Sequence, residues 1–196
     1  MTKTVEFFFD VGSPTAYLAS TQIQKIASEA GATLQYRPML LGGVFKATGN
    51  ASPVSVPAKG KWMFSDMNLW AKRYGVTLRM NPHFPINTLP LMRGAIAMQM
   101  RMPEKFDAYL SEVMNAIWQE KKNMGDPAVI AETLVPIGLD PAAFMAMISD
   151  DEIKTSLVKN TEEAVSRGVF GAPTFFVGDQ MFFGQDRMMF VKEALA

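Results

Sequence analysis

The first forty residues alternate between apolar and polar positions in a way that predicts a strand, a helix and a second strand. Residues 4–9 are β-branched and aromatic, which indicates a buried first strand. Ser13 is a favoured N-cap and Pro14 suits the first helical position, and apolar residues follow at helical spacing. Residues 33–37 alternate as a second strand, which Pro38 closes because proline cannot donate to a ladder. The chain therefore begins β-α-β.

The middle of the chain has helical periodicity. Residues 39 to about 57 are rich in Gly, Ser, Pro and Ala, and they predict a long loop. Beyond that loop, Pro or Gly separates a series of helix-like runs at approximately 64–74, 89–100, 106–118, 128–135, 142–148 and 151–167. An all-helical block is therefore predicted in mid-chain.

The C-terminal end predicts a hairpin followed by a helix. Residues 174–177 and 180–183 have strand composition and flank a Gly-Asp pair that suits a tight turn. Because strand pairs occupy both ends, the helical block is most simply an insertion within one sheet-bearing α/β unit. The sheet-bearing parts and the insertion are predicted at about 1–57, 168–196 and 58–167.

Composition excludes several classes of function. The chain has 196 residues, 48% of them hydrophobic, and its 19 Lys and Arg residues balance 19 Asp and Glu residues. Such a chain has no field that attracts nucleic acid. Its apolar runs fall short of the ~20 residues that a membrane span needs. The N-terminal residues lack a secretion signal, so we expect a cytoplasmic protein that binds neither nucleic acid nor membrane.

The absence of cysteine is informative. Without cysteine the chain can form no disulfide and perform no thiol redox cycle of its own. The single histidine, His83, lies in a proline-flanked turn, and a zinc site would have to consist mainly of carboxylates. We therefore expect no metal and assign His83 no catalysis.

Two local motifs could carry chemistry. Ser13 lies at a strand-to-helix turn, where free backbone N–H groups and the helix dipole stabilise an anion such as a thiolate. Alternatively, Ser13 only caps the helix. Pro173 follows a small residue just before a strand, so its peptide bond could be cis. An ordinary proline at a strand entry is the alternative.

Taken together, the two ends of the chain resemble a known family. The early motifs are Phe-Asp at 9–10, Ser-Pro at 13–14 and Tyr-Leu at 17–18, and the late ones are Val-Phe-Gly-Ala-Pro-Thr-Phe at 169–175 and Phe-Gly-Gln-Asp-Arg at 183–187. They resemble the 2-hydroxychromene-2-carboxylate isomerases, which are related to kappa-class glutathione transferases and DsbA-type oxidoreductases. The resemblance covers nearly the whole chain and implies a thioredoxin-like sheet with a helical insertion.

The resemblance also implies a glutathione site without a redox dithiol. The two cysteine positions of the oxidoreductases are occupied here by Ser13 and Ala16. Ser13 would donate a hydrogen bond to the glutathione thiolate. The residues that the resemblance assigns to binding the rest of glutathione are Asn50, Ala172, Pro173, Gln185 and Asp186.

Three assignments stay open at the level of sequence. Asp186 could bind the γ-glutamyl ammonium or only cap the last helix, and Lys46 could contact glutathione or be a solvated loop charge. Asn87 is a candidate substrate contact. It lies in a segment that lacks an arginine found near the substrate carboxylate in the chromene-acid isomerases, so the substrate itself is not assigned.

The resemblance implies an isomerase that uses glutathione as a cofactor and acts on a small aromatic unsaturated acid or electrophile. Thiolate addition, rotation about the bond made single, and elimination would return glutathione unchanged. A kappa-like transferase, in which glutathione stays attached to the product, is the alternative. A non-catalytic thiol-binding domain is a second alternative. The resemblance also implies a homodimer.

Overall fold

The two ends of the chain build one four-stranded sheet in this computed structural model, which describes residues 2–196. The central strand β1 pairs in parallel with β2 and antiparallel with β3, and β3 forms a hairpin with β4, giving the order β2-β1-β3-β4. The strands are β1 (Thr4–Phe9), β2 (Thr33–Pro38), β3 (Thr174–Val177) and β4 (Gln180–Phe183). The predicted thioredoxin-like fold class is confirmed.

Helices pack against the strands of this sheet and fill the long segment between β2 and β3. In residues 2–196 they are α1 (Pro14–Glu29), α2 (Leu41–Thr48), α3 (Pro57–Tyr74), α4 (Leu89–Arg101), α5 (Phe106–Trp118), α6 (Pro127–Leu134), α7 (Pro141–Ser149), α8 (Asp151–Ser166) and α9 (Met188–Leu195). Within that span no single helix is long and apolar enough to cross a membrane, although the bent pair Pro127–Ile137 and Pro141–Ser149 passes on length and composition when joined.

The prediction of a long loop at residues 39 to about 57 is wrong. Helix α2 and a short 3-10 turn, Pro53–Ser55, occupy most of it. The two glycines of α2 lower its helix propensity and concealed it in the sequence. Packing explains the helix: Val44 is fully buried, and a Cβ on Gly43 would lie 3.1 Å from Thr161 of α8. Helix α3 also begins seven residues earlier than the predicted start at 64.

The helical insertion packs directly on the segment that follows β1. Trp118, at the end of α5, is fully buried, and its indole Nε1 donates to the Val11 carbonyl over 2.8 Å. Within the insertion, α4 and α5 lie so close that a Cβ on Gly94 would be 2.1 Å from the Tyr109 hydroxyl. The insertion is therefore closely packed, and it fixes the turn that precedes α1.

Candidate active site

Ser13 caps α1 and is also within hydrogen-bond distance of the segment before β3, near the C-terminal end of the chain. Its hydroxyl oxygen accepts from the Ala16 amide over 3.1 Å, which is the N-cap interaction predicted from the sequence. Its hydroxyl also lies 3.1 Å from the Ala172 carbonyl oxygen, to which it can donate. The side chain is buried at the N-terminus of a 16-residue helix, where the backbone favours an anion.

Thr15 is a site residue that the sequence analysis missed. Its hydroxyl donates to the same Ala172 carbonyl over 3.0 Å, and its oxygen lies 2.9 Å from that of Ser13. The Ala172–Pro173 bond is cis, in agreement with the sequence prediction. Pro173 does not line the cavity described next, but its carbonyl accepts from the Gly184 amide over 3.0 Å. These bonds fix the position of the segment after β4 relative to α1.

A cavity of about 460 Å³ opens in front of Ser13. Its walls come from the start of α1, the segment before α3, α3 itself and the segment after β4, and its size lies within the range of small-molecule sites. The structure brings together at this cavity the predicted residues Ser13, Asn50, Ala172, Gln185 and Asp186.

The polar end of the cavity is formed by residues 184–187. Tyr74 of α3 donates its hydroxyl to the Gln185 carbonyl over 2.7 Å. Burial, and then the negative charge of Asp186, raises the pKa of Tyr74 to about 12, so the phenol stays a donor at neutral pH. Gly184 has φ 101°, and a Cβ there would lie 2.4 Å from the Asp186 carboxylate. Asp186 pairs with Arg187 over 2.6 Å and faces the cavity.

Asn50 joins the rim of the cavity to the segment before the cis proline. Its Nδ2 donates to the Phe170 carbonyl over 2.8 Å, and its Oδ1 accepts from the Ala51 amide over 2.8 Å. The side chain is exposed and lines the cavity mouth. It can therefore contact a ligand while it holds the two rim segments together.

The structure does not bring Asn87, Lys46 or His83 to the cavity wall. Asn87 is exposed, and its Oδ1 accepts from the Leu89 amide over 3.2 Å at the start of α4, so its contact with substrate stays a prediction. Lys46 is exposed on the outer side of α2. The apolar end of the cavity is lined instead by Phe45, Trp62, Met63, Phe64 and Phe84.

Asp10 lies beside the site without lining the cavity, and the sequence did not predict its structural role. Its carboxylate is fully buried, three residues before Ser13, and accepts from the Gly12 amide over 2.9 Å, the Leu41 amide over 2.8 Å and the Thr88 hydroxyl over 3.1 Å. Burial raises the pKa of Asp10, and the three hydrogen bonds oppose that rise. Asp10 thus connects the Ser13 turn to α2 and to the start of α4.

Thr88→Val is expected to lower the free energy of unfolding by about 1 kcal/mol, because it removes one hydrogen bond to the buried Asp10. Urea unfolding measures this change. The matched control is Thr133→Val, since Thr133 is also buried but its hydroxyl has no hydrogen-bond partner among residues 2–196. That variant should be neutral or stabilising. Equal losses in the two variants would contradict a structural role for the Asp10 cluster.

Comparison with known proteins agrees with this geometry. Residues 4–196 match the model of the DSBA-like thioredoxin domain. The chain belongs to that family. Within the DSBA-like family it is 32% identical to the 2-hydroxychromene-2-carboxylate isomerase of Sphingobium xenophagum, over 100% of this chain and 99% of that protein. The resemblance deduced from the end motifs is confirmed.

Two further comparisons locate the chain within the DSBA-like family. It is 28% identical to glutathione S-transferase kappa 1 of Homo sapiens, covering 95% of this chain and 88% of that protein. A solved structure of a 2-hydroxychromene-2-carboxylate isomerase superposes with a TM-score of 0.87 at 30% identity, covering 98% of this chain and 94% of the other. The similar proteins thus include both isomerases and a transferase.

Proposed function

We propose that this protein is a glutathione-dependent cis-trans isomerase of the 2-hydroxychromene-2-carboxylate isomerase type. The observation that carries the proposal is the placement of a serine hydroxyl at a helix N-terminus, at a cavity that a carboxylate, Asp186, also lines. Similarity to isomerases over the full length of the chain supports the same reaction class.

The residues of the cavity fit glutathione. Ser13 provides a hydroxyl for a thiolate, and the N-terminus of α1 contributes the positive end of its helix dipole. Ala172 and Asp186 both line the cavity. In this proposal the backbone of Ala172 pairs with the peptide part of the ligand, and the Asp186 carboxylate pairs with the γ-glutamyl ammonium. When bound, glutathione supplies a sulfur nucleophile that adds to an unsaturated substrate and leaves again once the bond has rotated.

The chain itself contributes charge stabilisation and positioning. Ser13 donates to the sulfur and, with the helix N-terminus, favours its ionised form; the thiol proton passes to water. The aromatic and methionine side chains at the apolar end hold a planar substrate against the sulfur, and they exclude water from one side of it. No redox step occurs, consistent with the absence of cysteine.

A kappa-like glutathione transferase is the second candidate, which the 28% identity to a kappa transferase supports. It differs from the isomerase in the fate of glutathione, which would remain on the product. A non-catalytic thiol-binding domain would bind glutathione and convert no electrophile. We further propose a cytoplasmic location, where glutathione is kept reduced, and a homodimer.

Calorimetric titration with reduced glutathione tests the site before any substrate is known. We expect binding at neutral pH, with S-methylglutathione as the control that lacks an ionisable thiol. Unsaturated aromatic pyruvates and their neutral ketone analogues are then tested with catalytic glutathione. Isomer formation with glutathione unchanged supports the isomerase, and a glutathione adduct supports the transferase. Absence of binding would overturn both enzymatic proposals.

A further inference from the structure

The Ala172 carbonyl is the shared acceptor of the two hydroxyls at the start of α1. A carbonyl oxygen has two lone pairs, and Ser13 and Thr15 lie 3.1 and 3.0 Å from it. Each hydroxyl has one proton to donate. The Ser13 oxygen also accepts from the Ala16 amide and lies 2.9 Å from the Thr15 oxygen. In the free protein the Ser13 proton therefore has two acceptors within reach, the Ala172 carbonyl and the Thr15 oxygen, and one acceptor lone pair of Ser13 is engaged by Ala16.

A thiolate at Ser13 requires a change in this arrangement. To donate to sulfur, Ser13 must turn its proton away from both acceptors, of which the Ala172 carbonyl belongs to a buried residue. A buried carbonyl that loses its donor carries an energetic cost, so the Ala172 oxygen competes with the thiolate for the serine proton. The competition is weaker if another donor stays on that oxygen.

We propose, on the basis of the glutathione function above, that Thr15 keeps its hydroxyl on the Ala172 carbonyl and thereby releases the Ser13 proton to the glutathione thiolate. The backbone N–H of the bound cysteinyl group takes the lone pair that Ser13 vacates. Every donor and acceptor in this group is then satisfied. The Thr15 hydroxyl and the ligand amide donate to the Ala172 carbonyl, the Ser13 hydroxyl donates to the sulfur, and the Ala16 amide donates to the Ser13 oxygen. Thr15 acts through Ser13 and is a positioning residue.

Thr15→Val tests this inference, because valine keeps the shape and the β-branch but has no proton to donate. In the variant only Ser13 and the ligand amide remain as donors to Ala172, so the Ser13 proton is drawn back to the carbonyl. Weakening one hydrogen bond to the thiolate should raise the pKa of the bound glutathione thiol in Thr15→Val by about 0.5 to 1 unit. Thr15→Ser restores the hydroxyl and should restore the wild-type value.

The thiolate ultraviolet absorbance of bound glutathione, titrated against pH, measures the effect directly. Thr21→Val is the matched control: Thr21 is also in α1, but its hydroxyl donates to the Leu18 carbonyl away from the cavity. We expect Thr21→Val and Thr15→Ser to titrate as the wild type does, and Thr15→Val at higher pH. If Thr15→Val does not fold, Thr15→Ala removes the same proton in a residue that favours helix.

Two negative results are distinguishable. If the wild type and Thr15→Val titrate alike, with a clear thiolate signal in both, the role of Thr15 is overturned and the proposed function stands. If the wild type itself gives no bound thiolate signal, the proposed function falls, and the inference falls with it. A higher thiol pKa in Thr15→Ser as well would also overturn the inference, since the hydroxyl would then not be the group that matters.

Discussion

Ser13→Ala is expected to raise the pKa of the bound glutathione thiol and to lower turnover about a hundredfold, the loss typical of removing one donor from a developing or fixed anion. Two causes combine. The variant loses the hydroxyl that donates to sulfur, and its reactive thiolate form appears only at higher pH. The pH–rate profile of kcat/KM with saturating glutathione should therefore move to higher pH, and turnover should partly recover there.

The N-cap role of Ser13 needs its own control, because the hydroxyl accepts from the Ala16 amide and its loss costs about 1 kcal/mol of stability. Asp140→Ala removes an equivalent cap from α7, where Oδ1 accepts from the Ala143 amide over 2.8 Å. Asp140 does not line the cavity. Asp140→Ala should lose similar stability and keep full activity. If Ser13→Ala behaves like Asp140→Ala in both assays, Ser13 is only a cap.

The sequence predicted most of the fold because its signals are local. Hydrophobic periodicity and turn residues placed all four strands, and the helix at Phe106–Trp118 was predicted with its observed bounds. Helix α2 was missed because its glycines argue against a helix and its stability comes from contact with α8, far away in sequence. Periodicity within a window of residues contains no information on that contact.

The residues of the candidate site also divide into those that local motifs predict and those that depend on distant contacts. Ser13 and Asp186 were found because they lie in short motifs that a family resemblance can carry. Thr15, Asp10 and Tyr74 were not assigned, because each acts through a partner distant in sequence: the Ala172 carbonyl, the Thr88 hydroxyl and the Gln185 carbonyl. Their residue types are common in ordinary helices and turns. The pairing of β1 with β3 brings Thr15 and Ala172 together, and the packing of the helical insertion on the rest of the chain brings the other two pairs within hydrogen-bond distance.

Asp186→Asn is expected to weaken glutathione binding about tenfold, the effect of losing one charge-assisted hydrogen bond at a partly exposed position. Asparagine keeps the shape that Gly184 accommodates, so the segment after β4 should keep its conformation. Calorimetry measures the change. Asp179→Asn, an exposed carboxylate in the turn between β3 and β4, is the control and should bind as the wild type does.

The ligand can be varied to show which group Asp186 recognises. Cysteinylglycine lacks the γ-glutamyl residue, so the wild type and Asp186→Asn should bind it with equal, weak affinity. Only glutathione carries the γ-glutamyl ammonium with which Asp186 pairs. The tenfold loss of affinity in Asp186→Asn should therefore appear with glutathione and not with cysteinylglycine. A loss of the same size with cysteinylglycine would mean that Asp186 supports the site only through its position at the start of the last helix. The thiol end of the site would be unaffected by either result, since Ser13 and Ala172 lie on other segments of the cavity wall.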